Sequence, residues 1–242
     1  MIPDISLRFF TDDQYVLDKV FYSNCYGIEK IPENSCIIDI GAHIGCFSAA
    51  CVFKGAEKVF SFEPFYLNFV SLQKNSEFFP DKICCRNLGV STELEQIKLK
   101  YPELKENHYI YSYLEQTDSL PGDFCTLVTL DQIVKNTQEE KIFLLKISTC
   151  GGELEILEDS CRNSNILDRV ENVCGETVDY NNDSLSSIIE SMKSKGFGDS
   201  WFSDTHDGGL VFIFSKSKAS DYFNIYAQDS NKEKIFFQNP IK

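Results

Sequence analysis

Short apolar runs alternate with amphipathic stretches along this chain, the pattern of strands buried on both faces and interleaved with helices. The run SCIIDIG begins at Ser35, AHIGCFSAACVFKG after it reads as a helix with a glycine stop, and EKVFSFEP reads as a second strand. A helix over 64–77, strands at 82–88 and 142–148, a helix at 152–161, a strand at 170–176, a helix at 184–195 and a strand at 210–215 continue the alternation. This predicts an α/β sheet covered on both faces, its first two strands parallel and joined by a right-handed crossover. Residues 96–130 break the pattern and read as two or three short strands and loops, an insertion suited to form a lid or a substrate wall. Upstream, Val16, Leu17, Val20 and Phe21 recur at helical spacing after an aspartate cap and predict an amphipathic lead-in helix packed on the sheet. The expected organisation is a lead-in at 1–34, a main domain at 35–218 and a tail at 219–242, which reads equally as docked or disordered.

Composition narrows the function classes. The chain has 242 residues, enough for one domain with a substantial core, and its 37 acids against 23 bases give a formal charge of −14. That balance, with no basic run, argues against a nucleic-acid partner, because phosphate binding needs clustered Lys and Arg. No window approaches the roughly 18 apolar residues that span a bilayer, and MIPDISLRFF carries an acid and a proline where a signal peptide is basic and then apolar. The expectation is a cytoplasmic protein, neither exported nor embedded in a membrane. The 10 cysteines lie in apolar, strand-like settings with no C-x2-C pair, which predicts reduced, buried thiols rather than a disulfide framework or a metal site.

Two features point to a nucleoside ligand. Asp39-Ile-Gly41-Ala-His43-Ile-Gly45 lies where the first strand turns into a helix, and glycines there let backbone approach a ligand. Glu63 closes the second strand, a carboxylate able to accept hydrogen bonds from a ribose diol. A dinucleotide site normally reads G-x-G-x-x-G, with its pyrophosphate on the helix N-terminus. Here an acid, Asp39, takes the first position; it would repel a pyrophosphate and suits the ammonium and sulfonium of S-adenosylmethionine.

The segment IIDIGAHIGCFSAACVFKGAEKVFSFEPFYLNFVSLQKN resembles the opening of the FkbM-type methyltransferase family, and RFFTDDQYVLDKVFY resembles that family's lead-in. NLGVS at 87–91, VTLDQIV at 128–134, KISTCGGELEIL at 146–157 and Glu176 extend the resemblance over roughly residues 8 to 215. It implies a Rossmann-like, three-layer αβα fold with a seven-stranded sheet whose last strand is antiparallel, S-adenosyl-L-methionine as cofactor, and methyl transfer to a small-molecule or glycan acceptor. By the resemblance, Gly41, Ala42, His43 and Gly45 lie along the methionine portion and Glu63 holds the ribose. Pro64 and Phe65 border the adenine, Asn68 orients that edge, and Asn87 and Leu88 close over the base. Asp39 supports the turn or contacts the methionine amine.

One departure bears on chemistry. Family members usually read K-I-D-V-E-G-A-E after the fourth strand, whereas this chain reads Lys146-Ile147-Ser148-Thr149-Cys150-Gly151-Gly152-Glu153. The missing Asp sits where a carboxylate takes a proton from an attacking hydroxyl. The replacement leaves three readings: a retuned acceptor site, a different nucleophile, or lost catalysis. An amine acceptor that arrives deprotonated needs positioning alone. With no acceptor, the cofactor's own amine could close a small ring and release methylthioadenosine. Candidates near the reacting centre are Lys146, Ser148, Cys150, Glu153 and Glu176, with His43 in the turn. Against these stand plainer roles: Glu153 as an N-terminal helix acid, Lys146 as a cation paired with an acid, and His43 packed in its turn.

Overall fold

The computed structural model describes residues 5–9, 11–100, 122–178, 180–205 and 208–224. Its centre is a seven-stranded sheet, built from β1 (Cys36–Ile40), β2 (Lys58–Phe62), β3 (Ile83–Arg86), β7 (Ile142–Ile147), β8 (Val170–Thr177), β9 (Asp199–Asp204) and β10 (Leu210–Ser215). The spatial order is β3-β2-β1-β7-β8-β10-β9. The chain starts at the middle of the sheet, works outward through β2 and β3, and returns to the other side of β1 at β7. That reversal makes the carboxyl ends of β1 and β7 the topological switch point, where open α/β sheets bind ligands. Pairing is parallel from β3 to β8, and β10 runs antiparallel to both β8 and β9, so the last strand in sequence is the antiparallel one.

Apolar runs become central strands because both faces are covered. All five residues of β1 are buried; Ile38 and Ile40 join the core under α4 (Leu130–Thr137), α5 (Glu153–Asn163) and α6 (Asn182–Ser194). Ile37 faces the opposite cluster with Phe47 and Cys51 of α2 (Cys46–Phe53) and Tyr26, Ile28 and Ile31 of the lead-in. The helix expected over 64–77 is α3 (Tyr66–Ser76). Gly175 lets β8 pass close to its neighbours, since a Cβ there would lie 2.1 Å from Ile147 O and 2.4 Å from the Phe212 ring.

Several local expectations need revision. The lead-in is α1 (Asp13–Leu17) running into a π-helical turn over Asp18–Tyr22, and Asp12 at its start makes no side-chain cap. Leu17 packs with Ile44 and Cys46, and Val16, Val20 and Phe21 pack against that cluster. Within 96–130, β5 (Glu95–Lys100) and β6 (Gly122–Val128) pair antiparallel, and β4 (Gly89–Val90) joins β6 to make a separate three-stranded sheet. The rest of that insertion, 101–121, lies outside the described residues, as does 225–242 of the tail. The tail's start is docked: Phe223 is buried and bridges to Ile28. The sequence reading assigns no element to α4 or to β9. A Thr129–Gln132 capping box starts α4, a legible signal overlooked beside the insertion.

Candidate functional site

Against the carboxyl ends of β1, β2, β7 and β8 lies a cavity lined by Gly41, Ala42, His43, Glu63, Pro64, Asn68, Leu88, Lys146, Ser148 and Glu176, among others. Tyr15, Val16, Lys19 and Val20 of the lead-in cover it, with Cys25 and Tyr26 behind them. Asp39, Gly45, Phe65, Asn87 and Glu153 do not line it.

The turn after β1 is held from beneath. Asp39 is fully buried and opposes Lys146 in the β1–β7 register. It accepts a hydrogen bond from Ser48 Oγ at 2.6 Å and forms an ion pair with Lys146 Nζ at 3.1 Å. Lys146 Nζ also donates to Ile40 O at 3.1 Å and Gly41 O at 2.8 Å, and so clamps the turn by its carbonyls. Asp39 thus lies beneath the turn, between Lys146 and Ser48. Gly41, at φ +73°, lies against the next loop: a Cβ there would sit 1.8 Å from Ser148 O.

Glu63 is 4% exposed and accepts from three donors: His43 N at 2.8 Å on Oε2, Phe65 N at 3.0 Å and Asn68 Nδ2 at 3.3 Å on Oε1. Burial pushes its carboxyl above the usual range, and these hydrogen bonds pull back against that. A carboxylate has about four lone-pair sites, so Oε2 retains acceptor capacity. Asn87 Nδ2 donates to Glu63 O and Pro64 O, at 2.8 and 2.9 Å, and fixes the backbone that carries the carboxylate. Phe65 is wholly buried with Ile97, Cys125 and Leu127.

On the other side, Glu176 is the penultimate residue of β8 and accepts from Lys19 Nζ at 2.6 and 2.7 Å, an ion pair joining residues 157 apart in sequence. Glu153 Oε1 accepts from Thr149 N, Thr149 Oγ1 and Gly151 N, so this carboxylate braces the loop in which Cys150, Gly151 and Gly152 all have positive φ. Cys150 is a protonated thiol at neutral pH, since burial and then the Glu153 charge push it up to about 12. None of the ten cysteines is in a disulfide. His43 has φ +53°, and burial pulls its imidazole down to about 4, so it is neutral. The sequence reading missed Lys19, Tyr26, Arg8 and Asp13; Arg8 and Asp13 pair with each other across five residues, but what joins them to the site, Asn68 and His43 for Arg8 and Glu176 for Lys19, comes from distant elements. Among the described residues no cluster of His, Cys, Asp or Glu has metal-binding geometry, and no helix is long and apolar enough to cross a membrane.

Comparison with known proteins gives the chain its class. The Methyltransferase FkbM domain matches residues 39–200, more than half of the chain, and the chain belongs to that methyltransferase family. Methyltransferase 1 of Beauveria bassiana (strain ARSEF 2860) is 23% identical over 205 residues, which cover 76% of this chain and 80% of that protein. Methyltransferase sdnD of Sordaria araneosa is 25% identical over 175 residues, 60% of this chain and 68% of that one. The solved methyltransferase FkbM from Methylobacillus flagellatus KT superposes with a TM-score of 0.56 at 13% identity, over 82% of this chain. The chain spans 47% of that protein's length, and at this identity the likeness is one of fold.

Proposed function

We propose that the protein transfers a methyl group from S-adenosylmethionine to a small-molecule or glycan acceptor. The observation that carries this reading is Glu63: a buried carboxylate on the cavity wall, held by two backbone N–H groups and Asn68, with acceptor capacity left for a ribose hydroxyl. The surroundings fit such a cofactor. Pro64, Leu88, Val90 and Leu127 offer an apolar edge for a base, and Gly41, Ala42 and His43 offer a slim turn for an amino-acid chain. Bound there, the cofactor supplies an electrophilic methyl group on a sulfonium.

The chain's own residues orient the reactants. Lys146 and Asp39 hold the turn, and Asn87 holds the backbone at Glu63 and Pro64. Ser148 stands where the family carries an acid, so proton removal from a hydroxyl acceptor falls to Glu176, the carboxylate that lines the cavity beside it. Glu176 acts in that way when an acceptor separates it from Lys19. The formal charge of −14 favours an acceptor without phosphates, and ten cysteines with no disulfide among them fit the reducing cytoplasm.

Ser148 and Cys150 in place of the family acids also favour a second reading, in which S-adenosylmethionine is itself the substrate and cyclises with release of methylthioadenosine. Mass spectrometry of the protein with S-adenosylmethionine, alone and with a panel of hydroxyl and amine acceptors, separates the two. S-adenosylhomocysteine plus a product 14 Da heavier, a mass gain of about one CH2, supports methyl transfer. Methylthioadenosine formed without an acceptor supports the second reading, and neither product overturns both.

A further inference from the structure

We propose that Arg8, in the lead-in, is a positioning residue for the nucleoside site: it sets the orientation of Asn68 and His43, two of the three residues that hold Glu63. The inference rests on the cofactor reading above and deepens it, because Arg8 lies outside the matched residues 39–200.

Its guanidinium reaches three side chains through four contacts. Nε and Nη2 bond Asp13 Oδ2 and Oδ1 at 2.9 and 2.6 Å, Nη1 donates to Asn68 Oδ1 at 2.8 Å, and Nη2 lies 3.3 Å from His43 Nε2. Asp13 is fully buried and also accepts from Arg8 N, so the fork is pinned in place. A guanidinium offers donors alone. Asn68 must therefore turn its oxygen toward Arg8, which turns its Nδ2 toward Glu63 Oε1. Flipped, the amide would set NH2 against the guanidinium and its oxygen against the carboxylate, two repulsions at once. By the same logic His43 Nε2 is an acceptor, so the neutral ring carries its proton on Nδ1. The ring is held while the backbone, in a left-handed conformation uncommon for a non-glycine residue, donates to Glu63 Oε2. Arg8 thus reaches both Glu63 oxygens through one intermediary each.

A purely structural role, in which the Arg8–Asp13 pair fastens the lead-in, makes a different prediction. The groups around His43 are Arg8, Asp13 and Lys146, and its backbone N–H faces Glu63. Removing Arg8 leaves the Asp13 carboxylate 3.7 Å from Nε2 with no cation between them, which raises the imidazole toward protonation in mild acid. An imidazolium paired with Asp13 withdraws the ring from its present position, so binding becomes pH-dependent.

The test is calorimetric titration of the full chain with S-adenosylhomocysteine at pH 5.5 and 7.5, with the thermal midpoint measured alongside. The variants are Arg8→Lys, Arg8→Gln, Arg8→Gln/Asp13→Asn and Glu63→Gln. Arg8→Lys keeps the charge pair and the fold but loses the fork, and its Kd should rise about tenfold or more, as when an outer partner of a bound site is removed. Arg8→Gln should lose more affinity than the parent does between pH 7.5 and pH 5.5. The double variant, freed of the unpaired charge, should recover thermal stability and the parent's pH profile but not its affinity. Parental affinity in Arg8→Lys and in the double variant, with affinity lost in Glu63→Gln, overturns this inference alone. No binding by the parent overturns it together with the cofactor reading.

Discussion

Lys146 is the residue whose removal the structure prices most clearly. Its ammonium lies 3.1 Å from Asp39 Oδ1 and donates to two carbonyls of the turn, and the two side chains are 4% and 0% exposed. Lys146→Met keeps the stem's packing between Tyr26 and Phe47, over whose rings the ammonium lies at 6.0 and 5.7 Å, but strands the Asp39 charge in the core. Breaking a buried pair on one side costs about 3–5 kcal/mol. At about 2–4 °C per kcal/mol for a chain of this length, the thermal midpoint should fall by roughly 6–20 °C. The control is Asp39→Asn/Lys146→Met, which removes the charge along with its partner; a coupling of about 1–3 kcal/mol should appear, the double variant being more stable than the sum of the singles. Urea unfolding followed by circular dichroism measures all three. A loss under about 1 kcal/mol for Lys146→Met, or strict additivity, is at the level of unpaired surface changes and refutes the clamp.

The remaining predictions concern the turn, a cap and a proton. Gly41→Ala should lower stability by at least about 1–2 kcal/mol from its left-handed backbone alone, with more from the contact with Ser148 O, and thermal unfolding checks it. Thr129→Ala removes the capping box that starts α4 and should cost about 1 kcal/mol, read by urea unfolding. His43 is buried neutral at about 4 against 6.5 when unfolded, so the unfolded chain binds the proton first. Its contribution to stability is complete above pH 6.5 and is lost as pH falls toward 4, up to about 3 kcal/mol. His43→Gln should flatten that limb of the stability profile; an unchanged slope contradicts the neutral assignment.

Strands buried on both faces were the most legible elements, since CIIDI, IFLLKI and LVFIFS are apolar runs broken only near their ends by Asp39, Lys146 and Ser215, with no competing helical period. β9, DSWFSD, lies at the sheet edge with both ends partly exposed, and its mixed pattern gives no such run. The π-helical turn at Asp18–Tyr22 has the same apolar spacing as an α-helix and so was read as one. At the site, Asp39, Gly41 and Glu63 were legible because strand ends and turns announce themselves locally. What Asp39 pairs with, and what holds Glu176, depend on strands and helices brought together from more than a hundred residues away. Register and docking create those pairs, and a single sequence carries no local trace of them.

The central claim is that Glu63 holds the ribose of S-adenosylmethionine in this cavity. Equilibrium titration of the parent and of Glu63→Ala with S-adenosylmethionine tests it most directly. The account predicts binding by the parent and a loss of affinity of about 10-fold or more in the variant, as expected when a charged hydrogen bond of roughly 1.5–3 kcal/mol is removed. Equal affinity in the two, with both proteins folded, contradicts it.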